Sequence, residues 1–148
     1  MTKNELAIQE FRNGFNCAQS VIAVYSDELK IDKELALRIS AGFGSGMGRL
    51  QSTCGAVTGA FMTIGAFVSN KFEKNADRKA KSIAMIQSYN EKFLALNKTS
   101  ECKDLLGCNL KTPEGQATFK DNNLSEKVCE KCISDSIDIL NQLFSSIN

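Results

Sequence analysis

The stretch CGAVTGAFMTIGAFVS, residues 54–69, decides the fold. It carries no charged residue, and its glycines and alanines would let neighbouring helices approach closely. We predict a central helix that opens near Cys54 and extends to about Ser69. Its most apolar part, residues 55–68, is 14 residues long, which is short of the roughly 18 to 20 residues that a membrane span requires. The stretch therefore predicts a buried core helix and no membrane span.

A glycine-rich loop precedes this helix, with the sequence GFGSGMGR at residues 42–49. Its alternating glycines match neither the dinucleotide-binding nor the P-loop pattern, and no strand is predicted before them. One interpretation is a tight turn between two packed helices. The other is a loop whose bare backbone amides approach a bound anionic cofactor. In that case Gly44, Gly46 and Gly48 are the cofactor-binding candidates, and Arg49 could supply positive charge.

The remainder of the chain is also predicted to be helical. Only one proline occurs, and the period-two alternation typical of strands is hard to find. Further helices are predicted at about residues 4–11, 16–29, 32–41, 75–97 and 125–147, with a short helix beginning at Pro113 and a loop over 98–111. The predicted fold is therefore all-α: a single-domain bundle of about five to six helices over residues 1–148, with the glycine-rich loop before the central apolar helix.

Two helix starts carry capping residues. The sequence does not decide whether the first helical segment breaks at Gly14. If it does, Asn13 or Asn16 can cap the new helix, and Cys17 falls in its first turn. Asp32 is a candidate N-cap for the helix that follows.

The composition excludes several classes of function. The chain has 148 residues, 43% of them hydrophobic and 24% charged, with a net charge of +1. This balance is typical of one folded domain, and the basic patch that nucleic-acid binding needs is missing. The first ten residues lack the pattern of an export signal, so a cytoplasmic location is expected.

The absence of histidine leaves cysteine and carboxylate to carry any chemistry. Ser-His and Cys-His catalytic pairs, imidazole ligands to zinc and the C-x-x-C-H attachment site of c-type haem are all excluded. Six cysteines remain, and in a reducing compartment stable structural disulfides are rare. Metal binding or redox chemistry is therefore the leading hypothesis.

Cys54 is the best single candidate for a reactive or metal-ligating sulfur. It lies at the start of the central helix, where free amides and the helix dipole favour the thiolate. The alternative is a small buried apolar residue, since cysteine is commonly buried. Cys17 is more ambiguous because Val21 and Val24 follow it at core spacing.

Two closely spaced pairs supply the other cysteines. Cys102 and Cys108 lie in the predicted loop, and Cys129 and Cys132 begin the last helix, where periodicity points Cys129 toward the core and Cys132 toward its flank. Four thiolates can hold Zn²⁺ or an iron–sulfur cluster. Cys129 and Cys132 could also form a C-x-x-C redox pair.

Several segments together resemble the C_GCAxxG_C_C family of redox-active proteins over nearly the whole chain. They are FNCAQSV at residues 15–21, AGFGSGMG at 41–48, CGAVTG at 54–59, CKDLLG at 102–107 and TPEG at 112–115. The resemblance implies four characteristic cysteines, Cys17, Cys54, Cys102 and Cys129, as metal ligands. It also implies a relation to the cluster-bearing part of split-Soret cytochrome c, and hence iron–sulfur binding rather than a demonstrated enzyme activity.

Three hypotheses follow. The first is an iron–sulfur cluster on these four cysteines, used for electron transfer with an unidentified redox partner protein. The second is a thiol–disulfide protein in which Cys54 attacks and another cysteine resolves. The third is a helical module with structural Zn²⁺ on Cys102, Cys108, Cys129 and Cys132. The sequence does not decide whether two chains form a dimer through the apolar helices.

Overall fold

The computed structural model describes residues 1–147, which fold into helices joined by turns and loops. The eight α-helices of these residues are α1 (Lys3–Arg12), α2 (Cys17–Ala23), α3 (Lys33–Ser40), α4 (Gly55–Lys71), α5 (Asn75–Asn97), α6 (Cys102–Leu106), α7 (Pro113–Asp121) and α8 (Glu130–Ser145). The all-α prediction is confirmed. Within the described residues the strand-like contact is limited to one isolated bridge, between Thr53 and Glu101.

The prediction of five to six helices was too low because short helices are set by local signals rather than by long apolar stripes. The first segment breaks at Gly14, whose φ is +111°. Asn16 then caps α2: its side chain accepts from the amide of Gln19 at 2.9 Å, and the Gln19 side chain accepts from the Asn16 amide at 2.9 Å. In the predicted 98–111 loop, the five-residue α6 ends at Gly107, which is left-handed with a φ of +67°.

Helix α4 is the central element, and it packs closely on α2. A Cβ added at Gly59 would lie 2.7 Å from the carbonyl oxygen of Ala18, and one added at Gly55 would lie 3.0 Å from the Cβ of Cys17. Glycine is therefore required at position 59, where the two helices touch, and Gly55 leaves little room for a larger residue. The contact places the N-termini of α2 and α4 side by side.

Helix α8 packs on α4 and α5. The Ser136 hydroxyl donates to the carbonyl of Ala56 at 2.8 Å and is also hydrogen-bonded to the hydroxyl of Tyr89. In α5 the buried side chains are Met85, Tyr89 and Phe93. The other large apolar side chains of α5 include Ile83 and Leu96, which are exposed.

The glycine-rich loop has left-handed backbone. After a 3-10 turn over Ala41–Phe43, the five residues from Ser45 to Arg49 all have φ between +53° and +73°. Left-handed backbone costs roughly 1–2 kcal/mol for each non-glycine residue, so Gly46 and Gly48 lower the cost of this run. Within the described residues, no helix combines the length and the apolar character needed to cross a membrane.

Candidate functional site: a cysteine-lined pocket

A cavity of about 180 Å³ lies where α2, α4, α6 and the start of α8 meet. Five cysteines line it: Cys17, Cys54, Cys102, Cys129 and Cys132. We call it the cysteine pocket. Its other walls are largely apolar and include Phe11, Leu105, Leu106, Leu110, Phe119 and Val128. All six cysteines of the chain are free thiols.

The close contact of α2 with α4 brings two of these sulfurs to the pocket. Cys17 is the first residue of α2, directly after its cap Asn16, and Cys54 is the N-cap residue of α4. Gly55 follows Cys54 and leaves space for the Cys17 side chain. Both helix N-termini therefore open on the pocket, and both cysteines are buried.

A short antiparallel backbone contact brings in Cys102. The amide of Cys54 donates to the carbonyl of Ser100 at 2.7 Å, and the amide of Cys102 donates to the carbonyl of Ser52 at 2.7 Å. These bonds flank the bridge between Thr53 and Glu101. Although α4 and α5 lie between the two segments in sequence, the contact holds Cys54 and Cys102 on adjacent stretches of backbone.

Cys129 and Cys132 both face the interior of the protein, whereas only Cys129 was predicted to do so. Cys132 is buried, with 1% of its surface exposed, whereas Cys129 is only half-buried. A π-helical turn over Ser125–Cys129, in which the amide of Glu130 donates to the carbonyl of Ser125, leads into α8. Cys132 is buried because Ser136 and Ile139, four and seven residues later on the same side of α8, are buried as well. The prediction that Cys132 lies on the flank of the last helix was wrong.

An ion pair fixes the start of α8 beside the pocket. Arg12, at the end of α1, donates to both carboxylate oxygens of Glu130, at 2.9 Å and 2.7 Å. Glu130 is the residue after Cys129 and is itself buried. The fork geometry of this pair holds the backbone between the two cysteines in one orientation.

Gln51 is a site residue that sequence reasoning missed. It is 4% exposed, and its φ of +55° is left-handed. Its Nε2 donates to the carbonyl of Cys108 and its Oε1 accepts from the amide of Leu110, both at 2.8 Å. The side chain of Gln51 also lowers the pKa of the Cys102 thiol. A lone glutamine at the end of a loop carries no sequence signal for this role.

The electrostatics of the pocket distinguish Cys54 from its neighbours. A hydrogen bond from the thiol of Cys132 and the amides of Ala56 and Val57 lower the pKa of Cys54, against the opposing effect of burial. The predicted preference of Cys54 for the thiolate is thus supported by these contacts. The pKa of Cys132 is raised because its thiol is the proton donor in that hydrogen bond, and also because it is buried.

The other two buried thiols favour their protonated forms. A hydrogen bond with Cys129, followed by burial, raises the pKa of Cys17 well above its usual value. Burial, followed by the charges of Cys54 and Cys129, raises the pKa of Cys102 to about 12, and the hydrogen bond from Gln51 opposes that rise.

The predicted site residues divide into two groups. The four cysteines named as ligands, Cys17, Cys54, Cys102 and Cys129, all line the cysteine pocket. Among the glycine candidates, Gly46 lines it, whereas Gly44 and Gly48 do not belong to the lining. At Gly44 an added Cβ would stand 2.4 Å from the Cβ of Asn16, so the space there is taken by the cap of α2.

Cys108 lies outside the cysteine pocket, in a surface depression with Lys103 and Asn109. The four cysteines of the zinc hypothesis therefore do not share one cavity. Among residues 1–147, no group of three or more histidine, cysteine or acidic side chains is placed to hold a single metal ion.

One comparison with known proteins gives a match. The model of a family described as "Putative redox-active protein (C_GCAxxG_C_C)" matches residues 15–143. No curated protein and no solved structure matches the chain. The matched range contains every cysteine of the pocket.

Proposed function

The chain belongs to the C_GCAxxG_C_C family, and from that premise we propose that it is a redox protein that holds an iron–sulfur cluster in the cysteine pocket. One observation carries the proposal: Cys17, Cys54, Cys102 and Cys129 come from four separate elements and line one cavity. Cysteine thiolates are the usual ligands of such clusters, commonly four to a cluster.

The arrangement of the sulfurs supports a cluster better than zinc. A structural zinc ion needs four ligands at about 2.0–2.3 Å from one point, and the described residues hold no group placed around a single ion. In a cluster the thiolates bind different iron atoms, so their sulfurs are farther apart than they would be around a single zinc ion. The cavity of about 180 Å³ is far larger than the ~10–15 Å³ that one water needs.

The surroundings suit an anionic redox centre. A cluster in this pocket would supply one-electron transfer. The chain would hold it through the four thiolates, and the backbone amides of Ala56 and Val57 at the start of α4 lower the pKa of Cys54 and so favour its charged form. The apolar walls limit contact with water, which is one of the factors that set a cluster's potential.

Iron and sulfide analysis tests this proposal. Protein reconstituted anaerobically with ferrous iron and sulfide is expected to hold both, with a visible absorption band that is bleached by dithionite. Single Cys→Ser changes at Cys17, Cys54, Cys102 and Cys129 are expected to reduce the iron content several-fold. The matched control is Cys108→Ser, outside the pocket, which should leave the iron content unchanged.

Circular dichroism of each variant separates loss of the cluster from loss of the fold. Wild-type protein that is folded and fully reduced, but stays free of iron and sulfide after reconstitution, would refute the proposal. An equal loss of iron from Cys108→Ser would refute the assignment of the four ligands.

A further inference from the structure

A second cavity lies at the end of the helices remote from the cysteine pocket. It is a groove of about 480 Å³ between the C-terminal parts of α4 and α8 and one face of α5, and we call it the distal groove. Phe67 lines it and Gly55 lines the cysteine pocket. These two residues of α4 are separated by about 18 Å along the helix, since each residue adds 1.5 Å. The distal groove is therefore a separate site.

The distal groove has a mostly apolar lining. Val68, Met85 and Leu143 line it and are buried, whereas Ile147 lines it and is 43% exposed. Phe67 also lines the groove, and it is stacked on Phe144 with a distance of 4.0 Å between the ring centroids. A concave apolar surface that is open to solvent is typical of a ligand-binding site.

The space in the groove is left by small side chains on α5. Ala84 and Ser88 lie one helical turn apart and both line the groove. Ala84 is exposed and Ser88 is half-buried, so neither fills the space beside the buried Met85. A large side chain at position 84 would occupy the groove from the solvent side without entering the core.

Two lysines supply the charge in the groove. Among the described residues that line it, Lys71 and Lys81 are charged and none is acidic. The Nζ of Lys71 lies 4.9 Å from the ring centroid of Phe67, and the Nζ of Lys81 lies 6.0 Å from that of Phe72. Within residues 1–147 neither ammonium group forms a salt bridge. The aromatic rings thus hold two cations at the groove that have no anionic partner within the described part of the chain.

The sequence around these lysines adds to the positive charge. Residues 71–81 contain five basic side chains and two acidic ones, Glu73 and Asp77. Neither acidic residue belongs to the lining of the groove. The local field therefore favours an anion over a cation in the groove.

We infer that the distal groove binds a free aliphatic carboxylate of the fatty-acid type. Its chain lies on the apolar lining, and its carboxylate is attracted by the ammonium groups of Lys71 and Lys81. This inference concerns α4, α5 and α8 at their distal ends, and it does not depend on a cluster in the cysteine pocket.

The groove fits this class of ligand better than two others. Its volume of about 480 Å³ lies within the roughly 300–1,000 Å³ of small-molecule sites. Sugars and nucleotides need many hydrogen bonds, whereas the lining offers few: the Ser146 hydroxyl already donates to the carbonyl of Leu143 at 2.8 Å. Eleven described residues line the groove, fewer than the about 20–30 residues that each side of a stable protein–protein interface uses.

Titration calorimetry with two amphiphiles of opposite charge tests the inference. Dodecanoate and dodecyltrimethylammonium, each below the concentration at which it forms micelles, are titrated into the reduced, metal-free full chain. We expect dodecanoate to bind saturably at one site. The cationic amphiphile should bind about tenfold more weakly, because two attractive ion pairs are replaced by two repulsive ones.

Variants locate the bound carboxylate. Lys71→Gln and Lys81→Gln should each weaken dodecanoate binding by about twofold to fivefold, the effect of an exposed ion pair. Lys79→Gln is the matched control, because it removes the same charge from the same segment but lies outside the lining of the groove. It should weaken binding less than either.

A further variant fills the groove. Ala84→Phe should abolish saturable binding, whereas Ala95→Phe should leave it unchanged, since Ala95 is exposed on α5 outside the groove. Circular dichroism checks that each variant keeps its helical content. If Ala84→Phe does not fold, the comparison of the lysine variants and of the two amphiphiles still decides the inference.

Four results would overturn the inference. The first is a folded wild-type protein that binds no dodecanoate, and the second is equal affinity for the two amphiphiles. The third is unchanged binding by folded Ala84→Phe, which would place the ligand elsewhere. The fourth is a dimer in sedimentation velocity that Ala84→Phe dissociates and Ala95→Phe does not, because a second copy of the chain would then occupy the groove.

Discussion

Gly59 of α4 lies directly against the backbone of Ala18 in α2: an added Cβ would stand 2.7 Å from the Ala18 carbonyl oxygen and 2.9 Å from its Cα. This contact sets the spacing of the two helices whose N-termini carry Cys17 and Cys54. The cysteine pocket therefore depends on a position several residues away from any sulfur.

Gly59→Ala is expected to lower the free energy of unfolding by about 1–3 kcal/mol, because the methyl group meets rigid backbone rather than a side chain that can move. Gly65→Ala, in the same helix, is the matched control: a Cβ there meets nothing within 4 Å. It should raise stability by roughly 0.5–1 kcal/mol, since alanine favours helix over glycine. Urea denaturation of the reduced, metal-free protein measures both, and equal effects would contradict the packing argument.

Gln51→Ala is expected to cost about 1–3 kcal/mol of stability, because it leaves the buried amide of Leu110 and the carbonyl of Cys108 without their partners. Gln87→Ala serves as the control, since Gln87 is exposed on α5 and should change stability by less than about 0.5 kcal/mol. The loss of the hydrogen bond to Cys102 should also raise that thiol's pKa further, which a pH profile of Cys102 alkylation would show. An unchanged profile would mean that Gln51 acts only on the loop.

Gly46→Ala is expected to unfold the glycine-rich loop or destabilise the whole chain. The backbone there has a φ of +73°, and an added Cβ would stand 2.4 Å from the Cα of Gln51. Left-handed backbone alone costs alanine roughly 1–2 kcal/mol, and the clash adds to it. Gly42→Ala is the control, because its Cβ meets nothing within 4 Å. Gly46→Ala should melt at a lower temperature and hold less iron than Gly42→Ala. Equal melting temperatures would contradict the expected clash at Gly46.

Alkaline pH is expected to destabilise the reduced, metal-free protein. The folded-state pKa of Cys17 is raised, and that of Cys102 is raised to about 12, whereas an unfolded thiol ionises near about 8.5. Stability from these protonated thiols is fully present below the unfolded pKa and is lost as pH rises toward the folded values. The lowered pKa of Cys54 acts in the opposite direction.

Urea denaturation, repeated at several pH values from neutral to about pH 10.5, measures how the free energy of unfolding falls as pH rises from the unfolded pKa toward the folded pKa values. Cys102→Ser should make the decline shallower, because serine does not ionise in this range, and Cys108→Ser should leave its slope unchanged. A decline of the same slope in Cys102→Ser would show that other groups cause it.

The local features of the fold could be predicted because each is set within a few residues of sequence. The run of small apolar residues at 54–69 predicts the central helix, and the observed α4 runs Gly55–Lys71. Asp32 caps α3 as expected, with its carboxylate accepting from the amide of Leu35 at 2.8 Å. The helix predicted at 75–97 coincides with α5. Capping and periodicity act over one or two turns, so the sequence shows them directly.

The candidate site could be predicted only in part. The resemblance named Cys17, Cys54, Cys102 and Cys129 as one set, and they line one pocket. Neither spacing nor resemblance indicated that Cys132 joins them. It lies on a side of α8 that includes the buried polar residue Ser136, so the hydrophobic pattern alone did not mark that side as buried.

The sequence by itself determined that this protein is helical and that cysteine, of which it holds six, is present where histidine is absent. Only the tertiary structure decided which sulfurs meet. The close approach of Gly59 to Ala18, the backbone contact that carries Cys102 to Cys54, and the packing of α8 on α4 all join residues far apart in the chain. Such contacts depend on how whole elements pack, and no local pattern encodes them.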